Sequence, residues 1–394
     1  MFKKALLGFV MSLFASLVMA QGRVSIDSLT LEQKAARMLI VGMVGTEIDD
    51  EVKRDIDMGV GGVILFERNI YPAGKKVDSK KRLAQLCRDL VDYAGRPFIV
   101  SVDQEGGKVN RLKSKYGFAD MPSAEWLGRV NDPDTTRKYA RLLAATVDSM
   151  GFNVNFAPCV DVNVNSSCPV IGKVQRSFSA DADTVALHAS IVMQEHAKLG
   201  VAASMKHFPG HGSSKVDSHN GFTDVSDTWS ERELEPYRQM IYRGMCNMVM
   251  VGHLFNRNID SIYPATLSKK TIGLLRDSLG FNGVVVTDDM HMGAITKNYS
   301  LERSLRLAIN AGVDLIILSS NIPGSTNKVS DKAVKAICKA VRSGKISEHR
   351  LDESINRVEA LLEWLYVMKG EGDVYRVDPE CDILIGVTDP CEGL

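Results

Sequence analysis

Val284-Val285-Val286-Thr287-Asp288-Asp289 is a β-branched run that stops abruptly on two carboxylates. Such a run without polar alternation fits a strand buried on both faces, as in a parallel sheet. Runs of the same kind recur at 38–44, 62–66, 98–103, 154–161, 203–207, 248–254 and 315–319, with this one occupying 284–288. Helical patterns at 80–93, 135–150, 183–199, 231–243, 269–278 and 301–311 lie between them. Eight strand–helix units in one chain predict an α/β fold of the (β/α)₈ TIM-barrel type rather than an open doubly wound sheet. Helical patterns at 331–341 and 348–368 follow the last strand and predict a C-terminal helical extension of a single domain.

The polar residues agree with a barrel. Asp103, Asp161, Lys206-His207, His253 and Asp288 each end a different strand candidate. In a barrel those ends converge on one face, where the active site sits. After the fifth strand comes Lys206-His207-Phe208-Pro209-Gly210-His211-Gly212-Ser213-Ser214-Lys215-Val216-Asp217-Ser218-His219. A loop this polar is expected on the surface, because a core would leave its backbone groups unsatisfied. In Asp217-x-His219 a carboxylate can fix the imidazole tautomer and raise its basicity, which makes a proton-transfer group for neutral pH. Two other readings stay open for the pair: structural loop closure, or zinc ligation together with His207 and His211.

The loop also closely resembles the Lys-His-Phe-Pro-Gly-His-Gly...Asp-Ser-His signature of family 3 glycoside hydrolases, in their β-N-acetylglucosaminidase (β-hexosaminidase) branch. The resemblance extends roughly over residues 29–361 and implies the same barrel, with a carbohydrate as substrate and no cofactor or metal. It places the nucleophile on Asp288, the first of the aspartate pair, and the acid/base on Asp217 and His219. A retaining glycosidase needs such a carboxylate at the anomeric carbon, although an imidazole departs from the usual second carboxyl. Asp103 is implied as acceptor for two vicinal sugar hydroxyls, with Arg111 closing the same Asp103–Arg111 stretch. Lys206 and His207 are implied as donors to ring hydroxyls, and Arg176 as a sugar-binding arginine. The approach to Arg176, Ile171-Gly172-Lys173-Val174-Gln175, is longer than the family pattern by one or two residues. His253 and Met292 match positions that line the pocket. The implied activity is exo-acting, retaining removal of terminal N-acetylglucosamine from muropeptide fragments or chitin oligosaccharides.

The remaining features set limits. Lys3 and Lys4, the apolar run from Ala5 to Val18, and Val18-Met19-Ala20 form the pattern of a signal peptide over residues 1–20. A periplasmic or secreted protein is therefore expected, with the barrel and its helices over 21–369 and a tail at 370–394. The 48 basic and 48 acidic residues cancel, which argues against a nucleic-acid partner. No further segment has transmembrane character, and a monomer is expected. Among seven cysteines, Cys381 and Cys391 flank a short tail segment and could pair. Asp103-Gln104-Glu105-Gly106-Gly107 lacks the spacing of a phosphate loop. Competing functions are a family 3 β-glucosidase or β-xylosidase, a non-catalytic glycan-binding barrel, and a metal-dependent hydrolase.

Overall fold

The computed structural model describes residues 26–70, 78–218, 221–319 and 329–371. The expected signal peptide, His219, and the tail with Cys381 and Cys391 lie outside the described residues. Eight parallel strands run in chain order: β1 Leu39–Gly42, β2 Gly62–Leu65, β3 Ile99–Val102, β4 Val154–Asn155, β5 Ala202–Phe208, β6 Met248–Val251, β7 Val284–Thr287 and β8 Ile316–Leu318. Successive strands pair from β1 through β7, and β8 pairs with β1 in the register Leu39–Ile316. A parallel bridge between Val286 and Leu315 joins β7 to β8 and closes the barrel.

Helices Asp50–Met58, Ser79–Ala94, Pro133–Ser149, Ala182–Lys198, Glu235–Tyr242, Lys269–Gly273, Leu301–Ala311 and Val329–Arg342 follow the strands in turn. Asp49, Asp78, Asp132, Asp181, Ser268 and Ser300 open most of them, each side chain accepting from first-turn N–H groups that would otherwise lack partners. No described helix is long and apolar enough to cross a membrane.

All eight strand expectations fall on barrel strands, but β4 is shorter than expected. It ends at Asn155 because Pro158 has no N–H to continue a ladder, and the backbone beyond bonds to β5 through Val160 N to Lys206 O and Lys206 N to Pro158 O. The helix expected over 231–243 divides at Pro236, which tolerates only the first turn of the helix Glu235–Tyr242.

Strand alternation divides the apolar side chains into two cores. Ile40, Ile64, Ile99, Val154, Ala202, Met248, Val284 and Leu315 fill the barrel. Leu39, Val41, Val63, Val100, Val249 and Val285 point outward to the helices. The C-terminal helix Glu348–Glu371 adds Val358, Leu361, Leu362 and Leu365 to the inner core, so the expected extension plugs the N-terminal end of the barrel. Asp314, fully buried just before β8, fixes this plug. Its carboxylate accepts from Arg350 (2.9 Å), Arg357 (3.2 Å), Ser354 (2.9 Å), Arg276 and the Val285 N–H (2.9 Å). Removing one partner from a buried ionic cluster strands the remaining charges. Asp314→Ala should therefore cost about 3–5 kcal/mol in urea unfolding. A loss below about 1 kcal/mol would show that the arginines find solvent instead.

Candidate active site

At the C-terminal mouth of the barrel a cavity of about 340 Å³ is walled by Ile64 of β2 and Phe66 just beyond it, Asp103 beyond β3, Lys206 and His207 of β5, and Met250 of β6. Asp288 and Asp289 beyond β7, Ile317 of β8 and Ser319 just beyond it also line the cavity. Asp103, Arg111, Arg176, Lys206, His207, Asp288 and Met292 thus face one space. Asp217 is half-buried on the histidine loop and is not part of this wall. His253 does not line the cavity as expected. It is buried, with both ring nitrogens bonded: its Nδ1 meets Thr266 Oγ1 (2.8 Å) and its Nε2 donates to the Asp289 carbonyl (2.9 Å). It supports the turn that presents the aspartate pair.

One wall is a chain of ion pairs. Lys206 Nζ lies 2.7 Å from Asp103 and 2.8 Å from Glu105, and Arg111 lies 3.6 Å from the other oxygen of Asp103. Arg176 grips Glu105 with two parallel hydrogen bonds, 2.9 Å from Nε and 2.8 Å from Nη2, a geometry that fixes both planes. Burial pushes the Glu105 carboxyl up, but Arg176 and Lys206 overcome it and hold it at about 2. The longer approach to Arg176 does not keep it from the cavity. Lys173 N to Cys168 O, Gln175 N to Gly172 O and Arg176 N to Ile171 O fold the extra length into a turn, with Gln175 in the left-handed region (φ 61°).

The histidine loop is not the surface loop expected from its polarity. Lys206 through Ser214 are buried, as is Ser218. The polar groups find partners within the protein, chiefly at Asp161, which is fully buried. Asp161 accepts from the His207 N–H (3.2 Å), His207 Nδ1 (2.7 Å) and the His211 N–H (2.7 Å). Burial pushes Asp161 up, and the His207 ring followed by His211 holds it well below the usual carboxylate range. His211 Nδ1 meets Ser214 Oγ (2.8 Å) and Nε2 meets Ser218 Oγ (3.1 Å). A guanidinium only donates, so His207 Nε2 accepts from Arg176 (3.1 Å) while Nδ1 donates to Asp161. Both ring nitrogens are engaged. His207 therefore buttresses Arg176 and has no N–H left for the sugar hydroxyl it was expected to serve.

Cys159 Sγ, an Asp161 oxygen and a His207 nitrogen lie within 4.8 Å of one another, a spacing a metal could use. These atoms already bond each other, Cys159 Sγ donating to Asp161 Oδ2 at 3.2 Å. The alternative zinc reading of His207, His211, Asp217 and His219 shares only His207 with this group.

Sequence reasoning gave Glu105 no role and placed Asp161 only at a strand end, because their partners lie 71 and 46 residues away. Asp289 accepts from the N–H groups of His291 (3.1 Å) and Ser319 (3.1 Å), which ties β7 to β8 beside Asp288.

These features coincide with a known architecture. The profile described as the glycosyl hydrolase family 3 N-terminal domain matches residues 30–361. The chain belongs to glycosyl hydrolase family 3. Within the family it groups with the β-hexosaminidases, and it is a glycoside hydrolase. A β-hexosaminidase from Idiomarina loihiensis is 32% identical over 296 residues, 73% of this chain and 85% of that protein. β-Hexosaminidase LpqI of Mycobacterium tuberculosis is 31% identical over 343 residues, covering 84% of this chain and 83% of that protein. A family 3 β-N-acetylglucosaminidase structure from Paenibacillus superposes with a TM-score of 0.79 at 36% identity, over 86% of this chain and 63% of that one.

This family 3 hydrolase also carries a buried acid under its histidine loop. Glu233 packs directly beneath Gly210, where a Cβ would stand 2.6 Å from the Glu233 Cβ. Burial, with the Asp161 charge beyond, pushes its carboxyl from the usual 4.5 up to about 8. The folded protein then binds this proton more tightly than the unfolded chain, so the group's contribution to stability is full below 4.5 and is lost as pH rises through 8. Glu233→Gln removes the titration and keeps the shape. Thermal unfolding across this range should show the variant gaining on the native protein with rising pH. A constant difference between the two would mean that Glu233 does not titrate there.

Proposed function

We propose that the protein is an exported, exo-acting, retaining β-N-acetylglucosaminidase. It removes terminal β-linked N-acetylglucosamine from cell-wall muropeptide fragments or chitooligosaccharides. The observation that carries this reading is the presence of Asp288 in the same cavity as the Asp103–Lys206–Arg176 wall. The wall reads the hydroxyls of a terminal sugar, which sets its anomeric carbon against a carboxylate. The β-hexosaminidase relatives supply the substrate class, and the N-terminal pattern supplies export.

In this mechanism Asp288 attacks the anomeric carbon while the leaving oxygen takes a proton, and a covalent glycosyl-aspartate forms. Water then attacks the same carbon, and the group that gave the proton now accepts one. His219, oriented by Asp217, serves as this proton carrier. Imidazole suits the task because its ordinary pKa lies close to neutrality.

A panel of aryl β-glycosides tests the reading: N-acetylglucosaminide should be cleaved in clear preference to glucoside and xyloside. Asp288→Asn should lose about 10³-fold or more in kcat with unchanged melting. A preference for glucoside, or Asp288→Asn activity within about tenfold of native, overturns it.

Leaving groups test His219. A poor leaving oxygen needs protonation as its bond breaks, whereas a dinitrophenolate does not. His219→Ala should therefore damage disaccharide cleavage far more than dinitrophenyl N-acetylglucosaminide cleavage, with azide rescuing turnover of the latter. Uniform loss across leaving groups without azide rescue would leave His219 a structural residue.

A further inference from the structure

The end of the barrel opposite the active-site cavity carries a second groove, of about 410 Å³. Asn247, just before β6, with Asn282 and Gly283, just before β7, forms one side. Asn356, Arg357 and Trp364 of the C-terminal helix form the other. Positions 356 and 364 are eight apart, so the helix presents both along one face. Asn282 and Asp288 flank β7 at its two ends, about 20 Å apart at roughly 3.3 Å per residue. The groove and the active-site cavity therefore hold separate ligands.

The lining has a distinct chemistry. Among the described residues, no hydrogen bond engages the side-chain amides of Asn247, Asn282 and Asn356 or the indole N–H of Trp364. Each amide offers two donors and an acceptor. Trp364 packs against the inner core yet remains partly exposed where it lines the groove. Among the described residues, Arg357 is the one charged side chain on the groove, and buried Asp314 already pairs with it (3.2 Å). An anionic or cationic ligand would find no free counter-charge here. Unengaged amides around an aromatic ring instead match a neutral ligand that has an apolar C–H face and a rim of hydroxyl or acetamido groups. A saccharide has that chemistry.

Both sides of the groove are fixed before any ligand arrives. Val284 N donates to Asn247 O (2.9 Å), and Arg276 Nη1 donates to the carbonyls of Phe281 (3.0 Å) and Gly283 (2.6 Å). At Gly283 a Cβ would stand 2.5 Å from Asn247 O and 2.7 Å from the Phe281 ring, so a larger residue would force the two asparagine-bearing segments apart. Arg350 and Ser354, each 2.9 Å from Asp314, hold the helix in place. Amides carried on such fixed backbone lose little freedom on binding.

We infer that this groove is a second, non-catalytic saccharide site. Trp364 stacks on the apolar face of a neutral sugar, and Asn247, Asn282 and Asn356 bond its hydroxyl or acetamido groups. The site goes beyond the activity proposed above, which uses the other end of the barrel. An enzyme held to a glycan by one end meets the chain ends around it at a raised effective concentration.

Fluorine NMR on the full chain labelled with 5-fluorotryptophan tests this, because the chain has three tryptophans and Trp364→Phe identifies the resonance concerned. The label is placed in the Asp288→Asn protein, which the proposed mechanism makes unable to consume the probe. Millimolar chitohexaose should shift the Trp364 resonance. Asn282→Ala with Asn356→Ala should weaken that binding about fivefold or more, since each lost hydrogen bond costs a fewfold in affinity. Both positions are exposed, so melting should not change. In the otherwise native chain the same pair should keep kcat/KM for an aryl N-acetylglucosaminide within about twofold while retention on insoluble chitin falls. Cellohexaose is the second probe: an equal response supports hydroxyl recognition, and a response confined to chitohexaose supports acetamido recognition. A Trp364 resonance that neither saccharide moves, or that moves equally in the asparagine variant, overturns the site. A response that appears only after residues 372–394 are removed assigns the groove to the tail and overturns it as well. Failure to cleave the aryl N-acetylglucosaminide would instead overturn the proposed activity and leave the binding result standing.

Discussion

The site depends on one buried carboxylate. Asp161 stands beyond the short fourth strand with no exposure to water, and its acceptors take the His207 backbone N–H, the His207 ring and the His211 backbone N–H. A buried charge is tolerable only when its partners are close and complete. Here the partners are what the site requires. The bond to His207 fixes the tautomer whose other nitrogen accepts from Arg176, and the bond to His211 begins the loop that continues to Asp217. The ion-paired wall of the cavity and the proposed proton-transfer loop therefore share one anchor. A change at Asp161 would disturb both, although it lines no part of the cavity.

This arrangement explains why a very polar loop can be interior. Polarity argued for the surface on the assumption that no partners existed inside. Asp161, Asn165, Ser214 and Ser218 supply those partners, and burial pulls the His211 imidazole down to about 4, so that it serves as a neutral hydrogen-bonding bracket. Among three histidines in one motif, two thus hold structure. A buried histidine is stable once both ring nitrogens are bonded, and His207 and His211 both meet that condition.

Barrel topology was legible because it rests on local pattern: eight apolar runs, each ending where a charged or polar residue begins a loop. Asp103, Lys206, Arg176 and Asp288 were legible as cavity residues because strand ends converge and because the family motif marks them. What stayed hidden was pairing. Nothing near Glu105 in sequence points to Arg176, and nothing near Asp314 points to the C-terminal helix that Arg350 and Arg357 bring to it. Strand lengths were overrun where Pro158 removed a donor, a signal that was present and outweighed by the apolar run. His253 shows the opposite error, where a position at a strand end faced inward.

Counting donors shows what the wall can still offer a sugar. Arg176 has five N–H groups. Glu105 takes two, Val170 O takes one at 3.0 Å and His207 Nε2 takes one, which leaves a single N–H on Nη1. Lys206 has three, of which Asp103 and Glu105 take two. The Asp103 carboxylate accepts from Lys206 and lies 3.6 Å from Arg111, with room on both oxygens for further donors. The wall therefore presents one donor from Arg176, one from Lys206 and open acceptor positions on Asp103, all fixed before any substrate arrives. Such a template reads the positions of two or three hydroxyls without reorganisation, and leaving one unmatched would strand a partly buried polar group. In the proposed reaction, reading of the terminal sugar by this wall leaves discrimination among leaving groups to residues outside it.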